Sequence, residues 1–310
     1  MKTVLKMLRH GWRAWRTAWD DFLRQARYCG FWRNDLKTVS WRLLLLAHSL
    51  EKGLSLGTGD FGTRKAADLM ALLDRYHRRG GDPDAYPCRM AVAAMNAYRT
   101  HRVEHGLDVS LCSGLKGASA EAGITICRRE DVAADQEAFQ RLCHARHSVR
   151  QFSGQPVTRE EIDRAVALMG TAPTACNRQM VRLSCAMDPA KHRELAELIP
   201  GNRGFEQEPD KYLFVTADLT AFDDGEAGQW YVNGGICGAY LQLAFTACGL
   251  GSCLFQWPRD SKGDKAVRRI LEIPAEEVIV CVLGVGHYRD SFPVLKAVRR
   301  DPADLIRYRL

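Results

Sequence analysis

The spacing of apolar residues divides the chain into an all-helical first part and a second part in which helices alternate with strands. In the first part, apolar side chains recur every three or four positions, which is the period of an amphipathic helix. Helices are predicted from Ser40 to Leu54, near Arg64 to Arg79 and near Ala85 to Arg102. A stretch rich in glycine and small side chains follows and predicts a linker. We therefore predict a helical N-terminal region over 1–110, a linker over 111–135 and a second domain over 136–310.

Short apolar runs and helix start signals alternate through the second domain. Thr158 and Glu161 form a capping box, and Asp188 followed by Pro189 marks another helix start. Helices are predicted near Asp135 to His144, from Thr158, from Asp188 to about Ile199, over Trp230 to Cys248 and over Asp260 to Leu271. Strands are predicted over Val181 to Met187, Tyr212 to Ala217, Ser252 to Gln256 and Val278 to Val285. The long helix carries Gly234, Gly235 and Gly238, which permit close approach of another helix.

Residues 1–33 form a separate pattern in which Trp12, Trp15, Trp19 and Phe22 share one helical face. The basic residues of the segment outnumber its acidic residues, Asp20 and Asp21: they are Lys2, Lys6, Arg9, Arg13, Arg16, Arg24, Arg27 and Arg33. A basic amphipathic helix with tryptophans is able to lie on an anionic membrane. The alternative is that the apolar face packs on the rest of the chain or on a second subunit.

Composition narrows the class of protein. The chain has 310 residues, a net charge of +7 and 11 cysteines, no two of which are spaced C-x-x-C. This argues against zinc ribbons and thioredoxin-like motifs, and we expect no metal site. Scattered thiols, the lack of a signal-peptide pattern and a longest aliphatic run of only Leu43 to Ala47 predict a cytoplasmic protein that is soluble or peripheral. No nucleic-acid motif accompanies the positive charge, so we expect no nucleic-acid partner.

The chemistry is concentrated between Arg146 and Gln179. Arg146 and Arg150 carry planar guanidinium groups that suit phosphate oxygens. Asn177 and Gln179 lie beyond one helix and offer amide donors and acceptors that suit the imide edge of a heterocycle. A phosphate-binding group and a heterocycle-binding group, separated by one helix, together predict a site for a nucleotide-like cofactor. No G-x-G-x-x-G follows a predicted strand, which disfavours a Rossmann dinucleotide site.

This order of motifs resembles the FMN-dependent nitroreductase family over about residues 136–310. The family opens with R-x-S-x-R/K-x-F, a P-V-x-x-E-x-[IL] helix and A-P-[ST]-x-x-N-x-Q. The matching residues are Arg146, Ser148, Arg150, Phe152, Pro156, Val157, Glu160, Ile162, Ala172, Pro173, Thr174, Asn177 and Gln179. Gly249-Leu250-Gly251-Ser252, Gly284 to Tyr288 and Arg300-x-Pro302 match later segments. Met180-Val181 departs from the family, which often has Pro-Trp there.

The resemblance implies an α+β fold with a mixed central sheet flanked by helices, in an interlocked homodimer. It implies bound FMN, reduced by NAD(P)H in a ping-pong reaction that then reduces a small organic acceptor, without a catalytic acid or base. The cofactor-binding residues would be Arg146, His147, Ser148, Arg150, Pro173, Thr174, Asn177, Gly251, Ser252 and Arg300. A flavin-binding sensor or scaffold without turnover remains an alternative.

A second motif, His48-Ser49-Leu50-Glu51-Lys52-Gly53-Leu54, precedes a glycine-rich loop. His48 and Glu51 share a helix face, and with Lys52 they are candidate substrate-binding residues. The other interpretation is a buried hydrogen bond that fixes the turn. The motif resembles H-x-x-E-K-G-L sequences that precede nitroreductase-like domains in chains associated with bacterial polysaccharide gene clusters, so an accessory role in such a pathway is a further alternative.

Only about a dozen residues separate the strand ending at Ala217 from the helix beginning at Trp230. The N-terminal region is therefore available as a cover for the flavin.

Overall fold

A computed structural model of the chain describes residues 2–57, 59–115, 123–131, 135–257 and 261–309. The helices are α1 (Lys2–Tyr28), α2 (Leu36–Ser55), α3 (Thr63–Arg78), α4 (Tyr86–Glu104), α5 (Gln136–Ala145), α6 (Arg159–Met169), α7 (Pro189–Leu198), α8 (Gln229–Ala247) and α9 (Ser261–Leu271). The strands are β1 (Val181–Cys185), β2 (Lys211–Asp218), β3 (Leu250–Gln256) and β4 (Glu277–His287). The predicted α+β class with N-terminal helices is confirmed. Part of the predicted linker, 116–122 and 132–134, and the predicted helix start Asp260 lie outside the described residues.

Helices α2, α3 and α4 share one apolar core. The side chain of Asp35 accepts a hydrogen bond from the Thr38 amide and so caps α2. The core is built from residues at helical spacing on all three helices, including Leu43, Leu50, Leu69, Leu72, Met95 and Tyr98. The helices therefore bury the faces that their apolar period indicates.

The four strands pair antiparallel in the order β1-β2-β4-β3, with a single parallel bridge from Ser148 to Ser252 beside them. Side chains alternate across a strand, so β2 supplies both faces of the sheet. Leu213 and Val215 pack against α6 and α8 on one face. Tyr212 and Phe214 pack against α7 and α9 on the other. The sheet thus lies between two helical layers.

Helix α8 lies so close to the sheet that a side chain at Gly234 would not fit. A Cβ atom there would lie 2.6 Å from Cγ2 of Val280, and one at Gly238 would lie 3.1 Å from Sγ of Cys281. We expected these glycines to permit close approach of another helix, but Gly234 and Gly238 instead contact β4 of the same chain, and a Cβ atom at Gly235 would meet nothing within 4 Å. Val232 and Tyr240 on another face of α8 are exposed.

The N-terminal helices are joined to the sheet by polar contacts from α2. The Trp41 indole donates a buried hydrogen bond of 3.0 Å to Oγ1 of Thr220. Nζ of Lys37 lies 2.6 Å from Oδ2 of Asp218 and 2.8 Å from Oε1 of Glu276. Helix α2 therefore lies against the short segment between β2 and α8.

Helix α1 presents its tryptophans to solvent rather than to the rest of the chain. Trp12, Trp15, Trp19 and Phe22 are 46–58% exposed. One of the two predicted uses of this face, packing on the rest of the chain, is therefore not observed. Within the described part of the chain, no helix carries an apolar stretch long enough to cross a bilayer.

Candidate cofactor and substrate site

The segment after α5 is extended and lies along the outer edge of the sheet. The Val149 amide donates to the Ser252 carbonyl at 2.9 Å, and the Phe152 amide donates to Oε2 of Glu208 at 3.0 Å. Val149 and Phe152 are buried, whereas Arg150 between them is half-buried. The two apolar side chains are thus turned inward, and Arg150 and Gln151 between them keep part of their surface accessible.

The predicted phosphate-binding residues line a cleft of about 430 Å³, which we call the arginine cleft. Its lining consists of Cys143, His144, Arg146, His147, Ser148 and Arg150, together with Leu295, Lys296, Ala297 and Arg299 of the C-terminal tail. In the part of the chain that the structure describes, neither Arg146, Arg150, Lys296 nor Arg299 forms an ion pair with a carboxylate. Unpaired cations around a concave surface suit an anion such as a phosphate.

The tail contributes two cations that sequence reasoning missed. Lys296 and Arg299 line the arginine cleft, whereas the predicted Arg300 is not among the lining residues, although all three residues are exposed. The basic composition of the tail was the available signal, but adjacent positions in an extended chain face opposite ways. A family motif alone does not decide which of two neighbouring arginines faces the cleft.

Gly251 and Ser252 lie in β3, directly beneath the segment that carries Ser148. A Cβ atom at Gly251 would lie 3.1–3.2 Å from the side chains of Tyr288, Phe152 and Val149, so the absence of a side chain permits this packing. Ser252 is 1% exposed, and its hydroxyl has no hydrogen-bond partner within the described residues. A buried hydroxyl without a partner is costly, which makes it a candidate contact for a bound group.

Residues 175–179, which we call the Asn177 turn, have unusual backbone conformations. Cys176, Asn177 and Gln179 have φ angles of 50°, 49° and 50°. Such left-handed conformations cost about 1–3 kcal/mol for most non-glycine residues, and they concentrate at functional sites. The turn is held by Oδ1 of Asn233, which accepts from the Ala175 amide at 2.8 Å, and by Oγ1 of Thr174, which accepts from the Gln179 amide at 3.0 Å.

The amide groups of the Asn177 turn remain open to solvent. Asn177, Gln179 and the preceding Pro173 are exposed, and Thr174 is half-buried. Oδ1 of Asn177 accepts a hydrogen bond of 3.1 Å from Nε2 of Gln179, so the two amides act as a unit. Exposed amides on a rigid turn fit the donor and acceptor edge of a flavin ring.

Arg178 within this turn is completely buried, a feature that sequence reasoning missed. Its guanidinium donates to the carbonyls of Ala175 and Ala221 and forms two hydrogen bonds with the Glu226 carboxylate. Burial alone would raise the pKa of Glu226, but the hydrogen bonds from Arg178 and the Asp223 amide hold that pKa below its usual range. Arg178 therefore braces the Asn177 turn against the segment between β2 and α8.

The predicted substrate motif meets the Asn177 turn across a small cavity. His48 and Glu51 of α2 line this cavity together with Tyr86, Cys176 and Asn177. The Tyr86 hydroxyl accepts a hydrogen bond from Nε2 of Gln179. Burial raises the pKa of Tyr86, and the charge of Glu51 raises it further, against the hydrogen bond from Gln179. Lys52 is exposed and does not line the cavity.

The two predicted ends of the cofactor site therefore have different surroundings in a single chain. The arginine cleft is formed with the C-terminal tail, and the Asn177 turn is faced by α2 and α4. The donor set of each end fits the corresponding part of FMN: cations for the phosphate, and exposed amides for the ring.

Comparison with solved structures gives matches that cover about half of this chain. One is an FMN-dependent nitroreductase from Clostridium difficile, with 22% identity over 49% of this chain and 88% of that chain and a TM-score of 0.42. A nitroreductase family protein from Streptococcus pneumoniae has 22% identity over 56% of this chain and 100% of that chain, with a TM-score of 0.46. A candidate nitroreductase in complex with FMN, from Desulfovibrio desulfuricans, has 18% identity over 57% and 99% of the respective chains and a TM-score of 0.48.

The sequence itself matches a family model over the region that contains the Asn177 turn and residues 144–150 of the arginine cleft, but not the C-terminal tail that completes the cleft. None of the curated proteins matches the chain. The model of the Nitroreductase family matches residues 144–232 and 211–287, so that α1–α4 lie before the match. Residues 144–287 therefore carry the sequence pattern of the Nitroreductase family, which confirms the predicted resemblance.

Proposed function

We propose that this protein is an FMN-dependent oxidoreductase that uses NAD(P)H to reduce a small organic acceptor. The observation that carries the proposal is the arginine cleft, in which Arg146, Arg150, Lys296 and Arg299 face one cavity without carboxylate partners in the described chain. A cluster of unpaired cations is unfavourable unless an anion occupies it. The phosphate of FMN has the charge and the size to do so.

Different residues in and around the arginine cleft make different contacts with the phosphate and the ribityl chain. Arg146 and Arg150 supply charge-assisted hydrogen bonds, and Lys296 and Arg299 add positive charge from the tail. His147, Ser148 and the unpartnered hydroxyl of Ser252 supply further hydrogen bonds. Arg300, which is exposed, adds charge at a longer range.

The Asn177 turn positions the ring. Pro173 and Thr174 offer a surface for it, and Asn177 offers an amide whose conformation the turn fixes. When bound, FMN would supply the redox chemistry, taking a hydride from NAD(P)H and passing electrons to the acceptor. The protein binds and orients the flavin and its substrates and excludes water from the site. No acid or base residue is therefore assigned.

A homodimer is part of the proposal. Within one chain, the arginine cleft is formed with the C-terminal tail, whereas the Asn177 turn is faced by α2 and α4. Two chains would let the arginine cleft of one face the Asn177 turn of the other. The exposed apolar surface of α8, with Val232 and Tyr240, is available for the contact. Sedimentation of the flavin-bound protein should give the mass of two chains, and a flavin-bound monomer would contradict this arrangement.

The proposal is tested by the absorbance of the purified protein and by its response to reduced nicotinamide. We expect a flavin band whose chromophore is released on denaturation as FMN, and rapid bleaching when NADH or NADPH is added without oxygen. A colourless protein that takes up no FMN on titration would overturn the proposal. A bound flavin that neither nicotinamide bleaches would point instead to a sensor or scaffold without turnover.

A further inference from the structure

Helix α1 contacts the rest of the chain through its polar face. The half-buried residues of its C-terminal half are all polar: Thr17, Asp21, Arg24, Gln25 and Tyr28. Nη2 of Arg24 reaches α9, where it lies 3.1 Å from Oδ2 of Asp264. This orientation is the reverse of the usual one, because a surface helix normally turns its apolar face toward the core.

The opposite face of α1 is a continuous aromatic stripe. Trp12, Trp15, Trp19 and Phe22 follow each other at spacings of three and four residues and are all exposed. The rings of Trp15 and Trp19 stack with centroids 6.0 Å apart, and those of Trp19 and Phe22 with centroids 5.3 Å apart. Leu8 and Leu23 extend the same stripe and are also exposed. An apolar surface of this length on a soluble protein marks an interaction site.

The charge of the helix indicates what covers the stripe. Lys6, Arg16 and Arg27 are exposed on α1, and the guanidinium of Arg16 lies 5.3 Å from the ring of Trp12. Asp20 is exposed and Asp21 is half-buried, and both line a cavity against α9 and β4 together with Leu23 and Arg24. The accessible surface of the helix is thus aromatic, with a margin in which exposed basic residues outnumber the exposed acidic residue Asp20.

We propose that α1 is a peripheral membrane anchor whose aromatic stripe inserts into the interface of an anionic lipid bilayer. Tryptophan has an apolar body and a polar N–H, so it is favoured at the boundary between acyl chains and headgroups. Exposed lysines and arginines beside such a stripe pair with anionic headgroups. The helix lies parallel to the surface and holds the second domain beside the membrane.

A second copy of the chain is the competing occupant, because the three–four spacing of the stripe also suits a pair of helices. The charge disfavours it. Two copies of α1 would bring two strongly basic segments together, in which Asp20 is the one exposed acidic side chain of each helix, and like charges in contact oppose association. An anionic bilayer removes the same repulsion. The proposal concerns residues outside the region that matches the Nitroreductase family and does not depend on the proposed oxidoreductase activity.

The test is flotation of the full chain with lipid vesicles. We expect binding to phosphatidylcholine vesicles that contain phosphatidylglycerol, weak binding to phosphatidylcholine alone, and loss of binding at high salt. Trp12→Ala combined with Trp15→Ala should lower the partition coefficient by about tenfold or more. Arg16→Glu and Arg27→Glu should each lower it at least about fivefold.

Matched controls separate the anchor from general stickiness. Trp32 is 65% exposed but lies outside α1, and Arg159 is an exposed arginine on α6. Trp32→Ala and Arg159→Glu should leave the partition coefficient unchanged. Circular dichroism and thermal melting of each variant confirm that the fold is retained.

Two results would overturn the proposal. One is equal binding by the tryptophan variants and the wild type. The other is a self-associated protein whose mass falls when Trp12 and Trp15 are replaced and which ignores anionic vesicles, since the stripe would then be an interface between copies of the chain.

Discussion

The arginine cleft and the Asn177 turn are the two ends of one proposed site, yet they are built in opposite ways. In the arginine cleft, Arg146 and Arg150 face a cavity of about 430 Å³ without carboxylate partners among the described residues. In the Asn177 turn, Arg178 has no exposed surface, and its guanidinium donates to two carbonyls and one carboxylate. The same residue type is therefore left without a carboxylate partner at one end and bonded within the fold at the other.

This difference teaches how a site combines affinity with geometry. Charges left unpaired in the protein are available to a phosphate and supply binding energy when it arrives. A turn with three left-handed non-glycine residues persists only if neighbouring groups fix it. The bonds from Arg178 and Asn233 fix the turn within the chain itself.

The largest effect that tests this comparison is on stability. Arg178→Met removes the buried guanidinium and leaves the Glu226 carboxylate and the Ala221 carbonyl without their partner. Breaking a buried ion pair from one side costs about 3–5 kcal/mol, and Glu226 is 27% exposed, so we expect about 3 kcal/mol of lost unfolding free energy. Urea denaturation of the FMN-free protein measures it.

Arg150→Met is the matched variant, since Arg150 lies in the arginine cleft. We expect its unfolding free energy to stay within about 0.5 kcal/mol of the wild-type value. Equal losses in the two variants would show that the two ends are built alike and that the comparison fails.

The next effect is on FMN affinity. Arg146→Ala removes charge-assisted hydrogen bonds worth roughly 1.5–3 kcal/mol, which corresponds to at least about a tenfold loss of affinity. Titration of the FMN-free protein, followed by flavin fluorescence, measures the change. Arg159→Ala, which replaces an exposed arginine outside the arginine cleft, should bind FMN as the wild type does. If the Arg146→Ala variant bound FMN with unchanged affinity, the proposal that the phosphate binds in the arginine cleft would be wrong.

The sequence predicted the parts of the site that depend on local pattern. The capping box of Thr158 and Glu161 forms as expected, and Arg146 and Arg150 share a cleft with His147 and Ser148 because they occupy one short extended segment. The helical periods of α2, α3 and α4 also correspond to the faces that they bury. In each case the determining interactions lie within a few residues, where spacing is informative.

The parts that the sequence left open depend on contacts between distant residues. Arg178 is buried because Glu226, 48 positions later, folds back beside it, and nothing in the local sequence indicates this. The meeting of His48 with Cys176 requires α2 to dock through Trp41 and Lys37. The sequence likewise does not show that the apolar side of α1 is turned to solvent. Periodicity indicates that one side of a helix is apolar but not what that side contacts.

Acid should weaken the Asn177 turn before it weakens the arginine cleft. Because the pKa of Glu226 is lowered in the folded protein, its pair with Arg178 contributes stability above the ordinary glutamate pKa. That contribution is lost as the pH falls through the lowered folded-state pKa, below about pH 4. We expect the wild-type unfolding free energy to fall with pH in this range more steeply than that of Glu226→Gln. Parallel pH profiles would contradict the assignment.

The smallest effect concerns the acceptor, and it tests whether the cover formed by α2 belongs to the site. Glu51 lines the cavity beside Asn177, and its Oε1 accepts a hydrogen bond of 3.3 Å from the Gly123 amide. Glu51→Gln keeps the size and hydrogen-bonding capacity of the side chain and removes its charge. If the cavity admits the acceptor, losing a negative charge should favour anionic over neutral acceptors, on the order of fivefold in relative kcat/KM.

Lys52→Gln provides the matched control for Glu51→Gln, because Lys52 is the next residue of α2 but is exposed and outside the cavity. Both variants should bind FMN like the wild type, since neither touches the arginine cleft. A change of acceptor preference confined to Glu51→Gln would assign α2 to the substrate site. If instead the preference stays constant while thermal stability falls, Glu51 serves to hold residue 123 against α2, and the motif is structural. The change of preference and the loss of stability thus separate a specificity residue from a brace that happens to lie near the cofactor.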